Sequence, residues 1–529
     1  MPWSRRQSLF LLAAAAGGRL VAAPSSAHAQ GRLRGGTLTM VELGEPTTLV
    51  PLIDSNTRTR TISTKILEGL VSFDQQFRPQ PKLATAWSIS EDGLTYRFEL
   101  RRGVKWHDDR NFTAADVAFS LMALKKVGPR GRITFANLQA VETPDDHTAV
   151  LVLSQPTPYL LKALTGGETP ILPAHRYTEA NFADSANGNA PVGTGPFVFV
   201  EWKQGSHVLL KRNPDYWQPG APLLDRVVVR FVNDAASASA ALETGEADFS
   251  LSVALPDLAR LKANPKLKIE TFSDAYLNNA QILEFNLDHP VLARREVRHA
   301  LAHAIDRGFI NDAIFYGHAT PAASTVPAAL AAYNDEAPFS YPLDPARAGA
   351  LLDAAGLRRG PDGSRFAVRL TFHPGALFKQ TAEYLRGAFG RLGVRIEILD
   401  GDLGTYIRRV YTERGFDLNL NGISRLFDPT AGVQRLYWSD GIRNPLPYLN
   451  AAHYDNPRVD GLFREAAVEF DEARRARQFK EIQAITGADL PAIAVVALPT
   501  VVVANARLRN HVTTVDIASG NFAEAGFAD

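Results

Sequence analysis

Leu94, Tyr96, Phe98 and Leu100 alternate with Thr95, Arg97, Glu99 and Arg101, a period of two that predicts a half-buried strand after the Asp92-Gly93 turn pair. The period changes at Thr113. There Thr113-Ala114-Ala115-Asp116 reads as a capping box, and Val117, Leu121 and Leu124, with Ala118 and Met122, continue at helical spacing. Upstream, Thr37 to Glu42 reads as a short strand running into the loop Glu45-Pro46-Thr47-Thr48. Further strands are predicted over Thr148 to Leu153, Phe197 to Trp202, Val208 to Lys211 and Val227 to Val232. Pro191-Val192-Gly193-Thr194-Gly195-Pro196 precedes a strand where a dinucleotide fingerprint would open a helix, so it reads as a rigid turn.

The second half has a different rhythm. Val368 to Phe372, Val394 to Leu399 and Phe416 to Leu420 read as strands, separated by helical patterns over Phe378 to Leu392 and Thr405 to Arg414. Alternation of this kind predicts an α/β fold with a parallel sheet. Asp344-Pro345 caps another helix ending near Gly356, and amphipathic helices cover Val459 to Phe470 and Glu472 to Ile485. Internal repeats and flexible linkers are absent from the pattern, so the β-rich first half and the α/β second half form lobes joined by strands or short loops.

With 529 residues, of which 45% are hydrophobic and 21% charged, the chain has the composition of a globular protein of two or three domains. Lys and Arg total 57 against 56 Asp and Glu; without the first 29 residues, which hold three arginines and no acid, the balance is 54 to 56. Such a balance carries no nucleic-acid footprint. With no cysteine, disulfides, Cys-ligated metals, a thiol nucleophile and a lipidated Cys are excluded. The start combines Arg5-Arg6, the apolar stretch Leu9 to Ala16 and Ala27-His28-Ala29, the three parts of a signal peptide cut after Ala29. Its apolar run is too short to span a bilayer. Ser4-Arg5-Arg6-Gln7-Ser8-Leu9 resembles a twin-arginine export motif, with Ser8 where an aromatic residue is usual; Sec export is the alternative. Export to the periplasm is the expectation.

Several segments resemble, in order and spacing, the family-five extracellular solute-binding proteins of ABC importers, which bind dipeptides, oligopeptides or nickel. They are Ile66-Leu67-Glu68-Gly69-Leu70, Pro81 to Trp87, Ser90 to Asp108, Thr113 to Val117, Pro191 to Phe197, Arg212 to Trp217, Gly245 to Asp248, Phe285-Asn286 and Val297 to Arg307. The resemblance implies an α/β, two-lobed periplasmic-binding-protein fold of the cluster C type with an extra β-rich subdomain in the first lobe. The implied division is signal peptide 1–29, first lobe 30–71, extra subdomain 72–192, first lobe again 193–284, second lobe 285–503, and a C-terminal return to the first lobe over 504–529. It implies hinge closure on a small peptide, amino-acid derivative or other zwitterionic solute and delivery to permease subunits in the inner membrane, without cofactor, resident metal or catalysis; a monomer is the default expectation, which the sequence does not decide. Alternatives are a nickel complex, an oligosaccharide, an opine, or a cleft hydrolase; a G-x-S-x-G elbow, H-E-x-x-H, a P-loop and a Rossmann fingerprint are all missing.

By the same resemblance Asp428, in Phe427-Asp428-Pro429 after a strand-like segment, is the candidate partner of a ligand ammonium, against a plain Asp-Pro turn. Lys379 or Arg425 is the candidate for the ligand carboxylate; Lys379 stands roughly where some relatives place an Arg, and Arg425 can equally neutralise Asp428. Thr47, Thr48, Tyr276 and Asn286 are candidate polar contacts or backbone braces. Tyr437 and Trp438 are candidate stacking residues or core. His299, His303 and Asp306 share a helix face at metal-binding spacing, but the resemblance places them in a structural helix with Asp306 as a cap. His107-Asp108-Asp109 reads as a solvated turn, and Asp400 and Asp402 as solvated loop acids.

Overall fold

The computed structural model describes residues 34–54, 56–178, 181, 185–272, 279–443, 446–498 and 500–529; the expected signal peptide and Tyr276 lie outside the described residues. Two large sheets and a four-stranded one organise the described residues, beside two short two-stranded pairs. The first lobe holds a seven-stranded sheet in the order Leu267–Phe272, Thr500–Asn505, Phe249–Ser250, Thr37–Leu43, Arg226–Val232, His207–Arg212, Phe197–Lys203. Attached to it is an antiparallel four-stranded sheet ordered Ala84–Ile89, Thr95–Leu100, Thr148–Leu153, Leu138–Asp145. On Thr95–Leu100 the predicted alternation holds, with Tyr96, Phe98 and Leu100 buried. The helix Ala114–Val127 covers this subdomain, and its start is fixed by Asp116, whose Oδ2 accepts from Thr113 N at 2.9 Å and from Trp106 Nε1 at 3.2 Å.

The second lobe is a six-stranded sheet ordered Thr320–Pro321, Ala492–Ala497, Asn279–Phe285, Leu418–Ser424, Phe366–Phe372, Val394–Leu399. Helices cover both faces. Leu301, Leu352, Leu385 and Phe389 pack on the side of Leu283 and Phe285, while Leu462, Phe463, Phe479 and Ile482 pack on the side of Ala280 and Ile282. This sheet is mixed, which corrects the expectation of a parallel one. Phe366–Phe372 runs parallel to both Val394–Leu399 and Leu418–Ser424, as helix crossovers require, but Asn279–Phe285 and Ala492–Ala497 enter and leave the lobe at the hinge and pair antiparallel.

The lobes are joined twice, between Phe272 and Asn279 and between Ala497 and Thr500. Both joins fall ahead of the expected boundaries at 284 and 503. Ala492 to Asn505 is one apolar run broken only at Leu498-Pro499-Thr500, and fully buried strands on either side leave no polar alternation to mark a change of sheet. Phe272 pairs with Thr500 in one sheet and Ala280 with Ala497 in the other, so the two crossings leave from neighbouring strands and reach neighbouring strands.

Candidate functional site

The site grows from the carboxyl end of Leu418–Ser424. The chain there turns back so tightly that a Cβ on Gly432 would stand 1.7 Å from Arg425 O. Leu426 holds a φ of 55°, a left-handed conformation that a branched residue adopts only under constraint. The turn thrusts Leu426 and Phe427 across into the apolar core of the first lobe, so the two lobes meet here.

Beside this contact lies an interlobe cavity of about 330 Å³. Arg130, Ile133, Tyr159 and Glu168 line it from the first lobe. Leu426, Gln434, Arg435 and Trp438 face them from the second. Arg130 is carried by the turn Gly128-Pro129-Arg130-Gly131, which packs so closely on the preceding helix that a Cβ on Gly131 would meet Leu124 O at 2.3 Å. Glu168 Oε1 accepts from Arg130 at 2.5 Å and lies 3.1 Å from the buried Arg60. Arg435 donates through Nη2 to Ser424 O at 2.8 Å, and its buried Nε has no hydrogen-bond partner among the described residues. Burial, with the like charge of Arg130 adding to it, presses the Arg435 pKa down to about 10.

Asp428 is committed elsewhere. It is fully buried, caps Pro429–Gly432 through Thr430 N at 3.0 Å, and accepts from Nη1 and Nη2 of Arg475, each at 2.7 Å. Burial pushes its carboxyl up, but Arg475 outweighs burial and holds it below the usual range. The reading of Asp428 as an ammonium partner is therefore corrected: both oxygens already serve a protein cation. Arg425 is also buried, its Nη1 3.3 Å from Ser324 O, and does not line the cavity. Lys379 is exposed and paired with Asp400 at 2.8 Å.

Thr47 donates to Asp54 at 2.9 Å and Thr48 braces its own loop through Val50 N and Gly188 O. Asn286 is a brace as well, donating to Phe416 O at 2.8 Å and accepting from Asp288 N. Tyr437 belongs to the core, with its hydroxyl 2.9 Å from Thr325 Oγ1. Of the sequence-derived candidates within the described residues, Trp438 alone lines the cavity. Arg130, Arg435, Glu168 and Tyr159 went unseen; the Gly-Pro-Arg-Gly turn was the local signal for Arg130.

The His299 and His303 rings each face a backbone carbonyl, of Ala488 at 2.8 Å and Pro342 at 2.7 Å, and Asp306 caps the next turn through Phe309 N. Among the described residues no group of three His, Cys, Asp or Glu is placed to hold a metal. His107 departs from the solvated-turn reading: its Nε2 lies 2.9 Å from Gly195 O, and burial lowers its pKa to about 4. Asp400 pairs with Lys379, and Asp402 caps Leu403–Ile407.

A family model described as bacterial extracellular solute-binding proteins, family 5, middle region, matches residues 78–444. The chain belongs to this family. It is 30% identical over 475 residues to heme-binding protein A of Haemophilus influenzae, covering 84% of each chain. It is 29% identical over 471 residues to the glutathione-binding protein GsiB of Salmonella choleraesuis, covering 85% of this chain and 86% of that one. NikZ of Campylobacter jejuni, solved in complex with Ni(L-His), superposes with a TM-score of 0.79 at 27% identity, covering 92% of this chain and 97% of that one. Family-five proteins are solute-binding components of ABC importers, and their bilobal fold is the fold described above. Among the described residues no helix is long and apolar enough to cross a membrane.

Four of the segments that carry the family-five resemblance, those containing Glu68, Arg101, Thr194 and Tyr216-Trp217, gather around one buried carboxylate. Glu68 accepts from Tyr216 at 2.7 Å, from Trp217 at 2.8 Å and from Thr194 at 3.1 Å, while the Arg101 guanidinium stacks 4.0 Å from the Trp217 ring. Three donors make an ionisable group affordable in the core. These segments hold the first lobe together, which is why they report the fold and not the solute.

A second buried carboxylate, Glu284, lies behind Arg435 and accepts from Asn419 at 2.8 Å and Asn421 at 3.0 Å. Burial raises its pKa to about 7 against those donors. The folded protein therefore binds more protons than the unfolded chain between about pH 4.5 and 7, so this group's contribution to stability falls as pH rises through that window. Glu284→Gln is expected to flatten the fall and to gain on the parent above pH 7 by an amount of order 3 kcal/mol. Its new amide can donate to Asn419 Oδ1, which has no partner among the described residues. Melting temperatures of both proteins from pH 5 to 8.5 check this, and parallel curves would refute it.

Proposed function

We propose that the chain is the periplasmic solute-binding component of an ABC importer, closing its lobes on a small peptide or amino-acid derivative and delivering it to the membrane permease. The carrying observation is the cavity of about 330 Å³ between the lobes, with apolar walls and charged groups contributed from both sides. It lies at the carboxyl end of Leu418–Ser424, where open α/β sheets place ligands, and opposing walls on two lobes joined at adjacent crossings suit hinge closure. The glutathione and Ni(L-His) bound by two of the relatives are amino-acid derivatives of this size class.

The test is to purify the protein from the periplasm, denature it, identify what is released by mass spectrometry, and return that compound to ligand-free protein. A released solute is expected to raise the melting temperature and to reduce the radius of gyration in solution scattering. A compound that is chemically altered on incubation would replace the binding reading with an enzymatic one.

A further inference from the structure

The charges around the interlobe cavity do not balance. Arg130 faces it from the first lobe with Arg60 behind, Arg435 faces it from the second, and the one carboxylate in its wall among the described residues, Glu168, is already shared by Arg60 and Arg130. Three further carboxylates among the described residues act on this region without lining it: Glu284 is held by two asparagines, Asp428 is saturated by Arg475 with Lys162 adding a cation nearby, and Asp54, behind Arg130 beside Arg60, already accepts from Thr47, Asn56 N and Thr59. Guanidiniums carried by opposite lobes oppose closure unless an anion comes between them. Arg435 is placed to receive one, since its buried Nε is unpartnered among the described residues and a single backbone carbonyl meets Nη2. The remaining wall is mostly apolar and aromatic, with Ile133, Leu426, Tyr159 and Trp438, interrupted by Thr134, Thr430 and Gln434.

We propose that the cavity selects a solute bearing a carboxylate on an apolar body, the carboxylate seated between Arg130 and Arg435, with no protein carboxylate reserved for a solute ammonium. This rests on the reading of the chain as a solute binder and narrows it. Charge-assisted bonds from two guanidiniums are the strong kind, and they would lock the lobes by replacing a repulsion with two attractions. A ligand ammonium would have to take Glu168 from its two arginines, so blocking the amine is expected to cost nothing.

Four forms of one dipeptide separate these terms: L-leucyl-L-phenylalanine, its N-acetyl derivative, its C-terminal amide, and the N-acetyl amide, titrated by calorimetry into the ligand-free full chain. The N-acetyl acid is expected to bind at least as tightly as the free dipeptide, and both amides at least about tenfold more weakly. Arg435→Gln is expected to erase the difference between acid and amide, and Arg435→Lys to restore part of it, which a merely structural residue would not do. The proposal is overturned if the amides bind as well as the acids, if acetylation alone abolishes binding, or if no acid form binds. A neutral or cationic solute released from the native protein would also overturn it, while leaving the solute-binding function standing; a released carboxylic acid that protects the parent but not Arg435→Gln from heat would support it.

Discussion

Asp428→Ala is expected to destabilise the protein by about 3–5 kcal/mol, because it leaves the Arg475 guanidinium buried without its counter-charge. Arg475 is 2% exposed and Asp428 fully buried, so water cannot replace the lost partner. The same change removes the cap of Pro429–Gly432 and frees the turn that carries Leu426 and Phe427 into the first-lobe core. Replacing both charges together, as Asp428→Leu with Arg475→Met, is expected to recover most of the loss, since it removes the uncompensated ion. Arg475 outweighs burial to keep the Asp428 carboxyl below its ordinary value, so the pair's contribution is present above the unfolded carboxylate pKa and lost as pH falls through the folded one. Urea denaturation of the parent, the single variant and the double variant is the measurement. Equal stability of parent and Asp428→Ala would sink this account and reopen Asp428 as a ligand group.

Gly193→Ala is expected to be at least as damaging, with a loss above about 4 kcal/mol and little soluble protein. A Cβ at this position would stand 1.8 Å from Ile66 O, a backbone atom that cannot rotate away and that accepts the Gly195 N–H at 2.9 Å. Gly193 O also accepts from His107 N at 2.9 Å, so displacing the turn disturbs the segments on both sides. The fitting comparison is Gly387→Ala on the exposed face of Ala376–Arg391, where a Cβ meets nothing within 4 Å. There the smaller backbone entropy that alanine loses from the unfolded chain is expected to stabilise by roughly 0.5–1 kcal/mol. Melting curves of the two variants check both signs, and a folded Gly193→Ala protein with the parent melting temperature would show that the turn can move.

Elements set by neighbouring residues were legible before any contact was known. The strands Thr148–Leu153 and Val394–Leu399 fall where their apolar runs placed them, and Asp344 caps Pro345–Ala354 as the Asp-Pro pair predicted. The motif segments around Glu68 were legible as a family pattern because a buried carboxylate needs all of its donors at once. The helix predicted over Thr405 to Arg414 was only partly right: it starts at the Asp402 cap and passes into a wider turn over Arg408–Thr412, where the Arg409 side chain reaches Leu399 O.

What the sequence by itself determined was the local period, the caps and turns, the two-lobed family fold and the exclusion of cysteine chemistry, because each depends on residues a few positions apart or on composition. Which charges are free to meet a solute was decided only by the tertiary structure. Asp428 and Arg475 are 47 residues apart and Arg60 and Glu168 more than twice as far, yet each pair shares one buried site. A charged side chain looks the same in a sequence whether its partner is a solute, water or a distant arginine. Folding cancelled Asp428 against Arg475 and left Arg435 facing Arg130 across the cavity.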